Sequence, residues 1–342
     1  MNAVTRSSVA ALAFAATLLL PDIAQAGIFR AYLSATGNDA NPCTLPQPCR
    51  LLPAALAAVN DGGEIWMLDS ANYNVAEVAV AKSVTILAVP GEVGSVVSTG
   101  AASALAIAAP NVVVTLRNLV IVGVGASGNG VTFTQGAELL VEGCEIANLA
   151  GRGVTATNGV RVVIKDTTIR NVGMHGFLAE GAVDASLDRV HVVRSTGTGV
   201  VAGVGATVTL SDSVVSGHGT GVQVMSGVML LTGMVAVGPA RLTVQRSVIT
   251  MNGSSGLNAS AFGGGASAEA IVTGNTFTRN GAAVELSSAA NITLGTNTFA
   301  GNSTAVQFAA GASGSVYSLQ NNVSRGNQAD VVGGVLTPAG HI

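Results

Sequence analysis

The 342-residue chain is poor in charge and rich in glycine. Charged residues make up 10% of it and 44 residues are glycine, whereas an average globular domain has roughly 25% charged residues. The formal net charge of -3 gives no overall basic character, which argues against a nucleic-acid-binding protein. The mean hydropathy of +0.54 fits strands that are buried against neighbouring coils.

The N-terminus has the pattern of a secretory signal peptide. Arg6 precedes an apolar run over 9–20, and Ala24-Gln25-Ala26 predicts cleavage after Ala26. The run is too short to cross a bilayer, and no later stretch reaches 18 uninterrupted apolar residues. We therefore expect a signal peptide over 1–26, no membrane span, and a secreted or periplasmic mature chain.

Residues 27–63 are predicted to form an entry segment ahead of the repeats. Cys43 and Cys49 are separated by five residues, two of them proline, which suits a small disulfide loop in an oxidising compartment. The sequence just before them is typical of a turn, and calcium ligation by its oxygen atoms is the alternative at Asn38, Asp39 and Asn41. No other cofactor is predicted.

A short amphipathic helix is predicted within this entry segment. A helical run that begins at Pro53 and ends at 60–63 places four apolar residues on one face: Leu52, Ala55, Leu56 and Val59. Such a helix can cover the open edge of the first coil, where unpaired strands would recruit other chains. Strands are predicted over 64–68, 75–80 and 84–89, with Trp66 in a buried strand.

Residues 64–342 repeat one pattern, with a step of 23 residues in the central coils. Apolar residues alternate in short β-branched runs and show no helical period, which predicts stacked coils of strands. The all-β parallel solenoid should have about 10–11 coils. Three sets of residues are in register: Val141, Ile164, Leu187 and Leu210; Ile146, Ile169, Val192 and Val215; Gly130, Gly153, Gly176 and Gly199.

The repeat is interrupted after residue 206. The coil over 206–240 has 35 residues, and the extra dozen fall in a run containing Met225, Met229 and Met234. We expect this insert to leave the solenoid as a loop or an extra strand pair, where it either walls a groove or joins subunits. Cys144 should be a buried, inert thiol. In the last coils, stacked amides are expected at Asn275, Asn297 and Asn321.

Three stretches at the start of the mature chain resemble a known family. The runs Y-L-S-A-T-G-N-D-A-N-P-C-T, P-C-R-L-L-P-A-A-L-A-A-V and G-G-E-I-W-M-L-D-S-A-N-Y are similar to the opening of bacterial secreted right-handed parallel β-helix repeat proteins of the pectin-lyase-like superfamily. The resemblance covers essentially the whole mature chain and implies a right-handed parallel β-helix. That superfamily contains lyases, hydrolases, epimerases and adhesins, so the resemblance implies a fold rather than one function.

Charged residues at repeat spacing should lie on the outer surface. Two predicted ladders of ion pairs are Glu142, Lys165 and Asp188, and Asp166, Arg189, Asp212 and Arg246. A third row, Glu145, Thr168 and His191, has Arg170 nearby, and an Arg, a His and a carboxylate can bind or deprotonate a uronic acid.

His218, between Gly217 and Gly219, resembles the histidine motif of polygalacturonases but lacks the acidic and basic companions of that motif. It is therefore predicted to be a turn residue first and a fourth catalytic candidate second, at the floor of the expected groove with Arg170 and His191.

Three functions remain open at this stage. The preferred one is a non-catalytic secreted β-helix that binds polysaccharide or other cell-envelope material along a flat side. The alternative is a carbohydrate-active enzyme, a polysaccharide lyase or epimerase rather than a hydrolase, that uses Glu145, Arg170, His191 and His218. The third is an adhesin or a spike-like oligomer.

Overall fold

The computed structural model describes residues 27–229, 235–236, 238–262 and 267–340. The predicted signal peptide and its cleavage site lie outside these ranges. Within the described ranges the chain is an all-β solenoid of about 11 coils with one short helix, Leu52–Ala58. No helix in them is long and apolar enough to cross a membrane.

Each coil contributes strands to three parallel sheets, in the chain order sheet one, sheet two, sheet three. Sheet one contains the strands Ile28–Leu33, Val59–Met67, Val84–Ala88, Val113–Arg117, Glu138–Glu142, Arg161–Lys165, Asp184–Asp188, Thr207–Ser211, Ala240–Gln245, Ala268–Thr273, Asn291–Gly295, Ser315–Ser318 and Thr337–Pro338. Sheet two contains Ala71–Asn72, Gly94–Thr99, Leu119–Val124, Glu145–Leu149, Thr168–Val172, His191–Ser195, Val214–Ser216, Val248–Thr250, Thr276–Thr278, Thr298–Ala300 and Val323–Arg325. Sheet three contains Val78–Val80, Leu105–Ala108, Val131–Gln135, Val154–Thr157, Phe177–Glu180, Thr198–Ala202, Thr220–Ser226, Ser255–Ala261, Ala282–Leu286, Thr304–Phe308 and Ala329–Val332.

The predicted core register is confirmed. Val141 pairs with Ile164, Ile164 with Leu187 and Leu187 with Leu210, and all four side chains are fully buried. The row that begins at Ile146 is in register in the same way on sheet two. Alternate residues of each strand therefore fill one elongated core, and the others face outward.

The glycine register reflects close contact between coils at the start of sheet three. A Cβ atom on Gly153 would lie 2.4 Å from the carbonyl oxygen of Gly176, and one on Gly176 would lie 2.6 Å from that of Gly199. Only a residue without a side chain fits at this separation, which explains why glycine recurs in each central coil.

Two ladders of stacked polar side chains line the interior corners. At the corner between sheets one and two, Asn275 and Asn297 stack as predicted. The next member is Asn322 rather than Asn321, because Asn322 Oδ1 accepts the Asn297 backbone N–H at 2.9 Å, whereas Asn321 bonds to Thr296 N–H. The second ladder, between sheets two and three, was not predicted and contains Asn252, Asn280, Asn302 and Asn327.

The N-terminal end differs from the prediction in two details. The helix ends at Ala58 and the strand Val59–Met67 follows at once, so 60–63 form an irregularity inside a strand instead of a separate turn. Trp66 faces outward and is half-buried, with the Arg30 guanidinium 4.1 Å from its ring centroid. Ile65 and Met67 occupy the core instead, because inward and outward positions alternate along the strand.

The cysteine predictions are confirmed. Cys43 and Cys49 form a disulfide, and Cys144 is a buried free thiol. In the turn before the disulfide, the polar side chains bond to the backbone. Asp39 Oδ1 accepts the N–H groups of Arg50 and Leu51 at 2.8 and 2.7 Å, and Asn41 donates to the carbonyl of Pro48.

The insert includes an extra strand pair, as predicted. Val228–Met229 and Val235–Ala236 pair antiparallel between the sheet-three strand Thr220–Ser226 and the sheet-one strand Ala240–Gln245. Met225 belongs to sheet three itself, and Met234 lies outside the described residues.

Candidate functional site

Three of the predicted site residues lie together on the outer face of sheet two. Glu145, Thr168 and His191 form one row, each paired with the next. Arg170 lies two residues beyond Thr168 on the same face, and its Nε donates to Glu145 Oε1 at 2.9 Å. Both side chains of this ion pair remain more than a third exposed, so the pair is open to solvent.

His191 is not part of that ion pair. Its side chain is exposed, and within the described residues no hydrogen bond or salt bridge joins it to Glu145 or Arg170. Sheet two thus holds an Arg–carboxylate pair with a separate imidazole along the row. The pair can hold a polar ligand, but Arg170 already neutralises the charge of Glu145.

His218 does not lie on the floor of a groove. Its ring is 4% exposed and belongs to the interior corner between sheets two and three. Nδ1 accepts the Ser195 backbone N–H at 2.9 Å, which leaves the proton on Nε2, and Nε2 lies 2.9 Å from the Val192 carbonyl oxygen. Burial lowers the pKa of His218 below its usual value. The turn role is therefore the one that the geometry supports.

The prediction that the insert walls a groove over Arg170 and His191 is also wrong. The extra strand pair leaves the solenoid between sheets three and one. Arg170 and His191 lie on sheet two, which each coil reaches only after sheet one. The sequence pattern located the extra residues along the chain, but it did not tell at which corner they leave the stack.

The ion-pair ladders are partly as predicted. Salt bridges link Arg189 to Asp166 and Arg246 to Asp212 across neighbouring coils. Along the other ladder, Glu142, Lys165 and Asp188 are in register, yet Glu142 pairs with Arg117 and Asp188 with Arg189. The arginine side chains reach these carboxylates in preference to the predicted lysine partner.

Sheet three carries a polar row that the sequence analysis missed. The side chains in register on successive coils are Gln223, Asn258, Glu285 and Gln307. Asn258 Nδ2 donates to Glu285 Oε2 at 3.0 Å and to Ser287 Oγ at 2.6 Å. We call Gln223, Asn258, Glu285 and Gln307 the amide row.

An open groove lies beside the amide row, at the corner between sheets two and three. Its volume is about 540 Å³, and it runs over the last coils past Met251, Arg279, Ser303 and Gln328.

The amide row was hidden in the sequence because its members are 35, 27 and 22 residues apart, so a fixed step of 23 does not connect them. Pairing register after the insert is the signal that identifies them.

No metal site was found in the described part of the chain. None of its residues form a group of three or more His, Cys, Asp or Glu side chains that could hold an ion. Carboxylates there occur singly or in ion pairs with arginine, as in Glu145 with Arg170.

Comparison with known proteins agrees with this architecture. A family model described as "Right handed beta helix region" matches residues 93–232. A search of curated proteins found no match. The family model and the all-β solenoid of three parallel sheets agree on a right-handed β-helix fold.

Among solved structures, it is similar to the A-modules of two mannuronan C-5 epimerases from Azotobacter vinelandii. For AlgE4 the identity is 16%, 82% of this chain and 91% of that chain are covered, and the TM-score is 0.57. For AlgE6 the identity is 16%, the coverage is 84% and 92%, and the TM-score is 0.59. The periplasmic alginate epimerase AlgG is similar at 13% identity, with 82% and 75% coverage and a TM-score of 0.50. At these identities the similarity shows the fold alone.

Proposed function

We propose that this protein binds polysaccharide along one flat side without catalysing a reaction. The observation that carries the proposal is the amide row on sheet three. Its members lie on four successive coils, spaced by about 4.8 Å, the distance between paired strands. Asn258 is buried and donates to Glu285, while the other three side chains are partly exposed. The amides donate and accept hydrogen bonds and the carboxylate accepts them, so together they can bond to sugar hydroxyls.

The surroundings of the row favour a polymer over a small ligand. The row runs parallel to the solenoid axis, and an open groove of about 540 Å³ lies at the corner between sheets two and three in the last coils. Gln223, Glu285 and Gln307 are half-buried, so they are held in place by neighbours and still reachable. A row without an enclosed pocket suits an extended chain that contacts several coils at once.

Export of the protein is part of this proposal. The signal-peptide pattern over 1–26 supports it, and so does the disulfide Cys43–Cys49, because disulfides persist in oxidising compartments. Whether the insert joins subunits stays a prediction.

The binding proposal is tested with immobilised polysaccharides. The mature chain should be retained by at least one polymer in a panel of neutral and uronate-containing glycans. The variant Gln223→Ala/Gln307→Ala should lose that retention, since it removes both ends of the row. The matched control is Thr209→Ala/Thr243→Ala on the outer face of sheet one, which should bind as before. Retention by no polymer, or equal retention of both variants, would reject the proposal.

A second candidate function is a polysaccharide lyase or epimerase acting at Glu145, Arg170 and His191. The observation that favours it is the shared row on sheet two, with a free imidazole beside an arginine. A lyase would release unsaturated products that absorb in the ultraviolet, and His191→Ala would abolish that signal. An epimerase would change the composition of a uronate polymer without releasing such products.

A further inference from the structure

Charge is segregated on one edge of the solenoid. We define the basic edge as part of sheet two and its connections to sheet three in the last eight coils that contain a sheet-two strand. It comprises residues 147–153, 170–176, 193–197, 214–219, 248–254, 276–281, 298–303 and 323–328. These residues include no Asp or Glu. They include five arginines, Arg152, Arg170, Arg194, Arg279 and Arg325.

Four of these arginines have no carboxylate partner. Only Arg170 forms a salt bridge, with Glu145, whereas six other arginines of the described chain are paired on sheet one or its corners. Arg194 donates to the side-chain oxygen of Asn171, and the buried Nε of Arg152 has no hydrogen-bond partner. The basic edge thus holds four of the seven Arg and Lys side chains of the described chain that form no salt bridge, in a chain of net charge -3.

The arginines are arranged along the axis. Arg194 and Arg279 occupy the same corner position in their coils, with φ angles of 56° and 53°. From Arg152 to Arg325 there are seven coil steps, or about 34 Å at about 4.8 Å per step. At the last coil, Ser324 of the basic edge donates a hydrogen bond to Asp330 on sheet three.

From this arrangement we infer that the basic edge binds an acidic polysaccharide. This inference rests on the proposed polysaccharide binding and specifies its ligand class. The polymer lies parallel to the axis, its carboxylate or sulfate groups contact Arg152, Arg194 and Arg279, and its hydroxyl groups contact the amide row. Arg279 lines the open groove, whose lining residues all belong to the basic edge.

The edge favours a linear polyanion over a small anion. Exposed guanidinium groups several coils apart bind one small anion weakly, since a single exposed ion pair contributes little. A chain with an anionic group on each sugar engages several of them at once, and later contacts then form at high effective concentration. A nucleic acid is disfavoured because the two phenylalanines of this edge, Phe277 and Phe299, are buried and offer bases no surface on which to stack.

The test measures the binding of three polysaccharides and one DNA duplex to three proteins. The probes are polygalacturonate, dextran sulfate and unmodified dextran, and a DNA duplex serves as an unrelated polyanion. The proteins are the mature chain, the edge variant Arg152→Gln/Arg194→Gln/Arg279→Gln, and the control Arg117→Gln/Arg161→Gln/Arg246→Gln. The control removes the same number of charges from paired arginines outside the basic edge.

The edge variant should bind an acidic polymer about tenfold more weakly at low salt, and its affinity should depend less on salt. The control should bind like the unmodified chain, and binding of a neutral glycan through the amide row should be the same for all three proteins. Polygalacturonate against dextran sulfate tells whether carboxylate or sulfate is preferred.

Equal loss in the edge variant and the control would attribute binding to net charge and overturn the inference. Tighter binding of DNA than of either acidic polysaccharide would also overturn it. If the edge variant binds every glycan normally, the basic edge is not used but the proposed polysaccharide binding stands. If the unmodified chain binds no glycan, the proposed function itself has failed.

Discussion

The side chains of His218 and Asn280 make the same two hydrogen bonds from the same interior ladder. Asn280 Oδ1 accepts the Asn252 backbone N–H at 3.1 Å, and its Nδ2 donates to the Ile249 carbonyl at 3.0 Å. His218 occupies the ladder position one coil before Asn252. Its Nδ1 accepts the Ser195 backbone N–H, and its Nε2 donates to the carbonyl of Val192, three residues before Ser195. The imidazole therefore takes the place of an asparagine amide.

This equivalence predicts the outcome of two substitutions. His218→Asn should keep both hydrogen bonds and change the unfolding free energy at pH 7.5 by less than about 1 kcal/mol. His218→Ala leaves the Ser195 N–H and the Val192 carbonyl unpaired in the interior and should cost about 2 to 4 kcal/mol. Urea titration measures both, and equal stability of the two variants would show that the ring bonds contribute nothing.

The substitution His218→Asn should also change how the free energy of unfolding depends on pH. Burial lowers the pKa of His218 below 6.5, so the unfolded chain binds the proton more readily. The stability that the neutral His218 ring contributes to the folded state is complete above about pH 6.5. It is lost as the pH falls from there through the pKa of His218 in the folded protein. Relative to the unmodified chain, His218→Asn should therefore gain stability between pH 7.5 and pH 5, because it removes this group while His175 and the carboxylates remain in both. A difference in unfolding free energy between the two proteins that stays constant with pH would contradict this prediction.

Asparagines of the interior ladder should contribute more to the free energy of unfolding than exposed asparagines do. Asn280→Ala removes the acceptor of the Asn252 N–H and the donor to Ile249, both buried, and should cost about 2 to 4 kcal/mol. The control Asn291→Ala, at an exposed position on sheet one, should change stability by less than about 0.5 kcal/mol. Thermal or urea unfolding compares the two, and similar losses would mean that the ladder is not a source of stability.

The core register is tested at two adjacent residues. Leu187 is fully buried and Ser186 beside it is exposed. Leu187→Asp puts an unpaired charge into the core and should prevent folding, whereas Ser186→Asp should fold normally. Circular dichroism and size-exclusion chromatography report the result. A soluble, cooperatively folded Leu187→Asp protein is the outcome that the register does not allow.

The free thiol of Cys144 and the disulfide between Cys43 and Cys49 should differ in reactivity and in their effect on stability. Burial raises the pKa of the Cys144 thiol to about 11, so it should not react with a thiol reagent at pH 8 until the protein is unfolded. Replacing both Cys43 and Cys49 by serine should cost at most about 2.4 kcal/mol, since the loop that they close is short. Mass mapping of unreduced peptides checks the pairing, and a bond from Cys144 to either partner would refute it.

Local pattern was enough for the coil stack, the short disulfide and the buried thiol. Residues alternate between core and surface along a strand, and a constant step of 23 residues aligns one coil with the next, so Val141 and Ile164 could be paired from the sequence. Cys43 and Cys49 could be paired because five intervening residues with two prolines suit a small disulfide loop in an oxidising compartment.

Tertiary structure decided which residues share a surface once the step changed. After the insert, register depends on how many residues each corner accommodates, so Gln223, Asn258 and Glu285 align although their spacing is uneven, and Asn322 replaces Asn321 in its ladder. Trp66 and His218 were misplaced for a related reason, because one position along a strand or turn moves a side chain from the surface to the core. The basic edge became visible only when connections distant in the chain were stacked, since like charges gather there through coil packing and not through any run of arginines in the sequence.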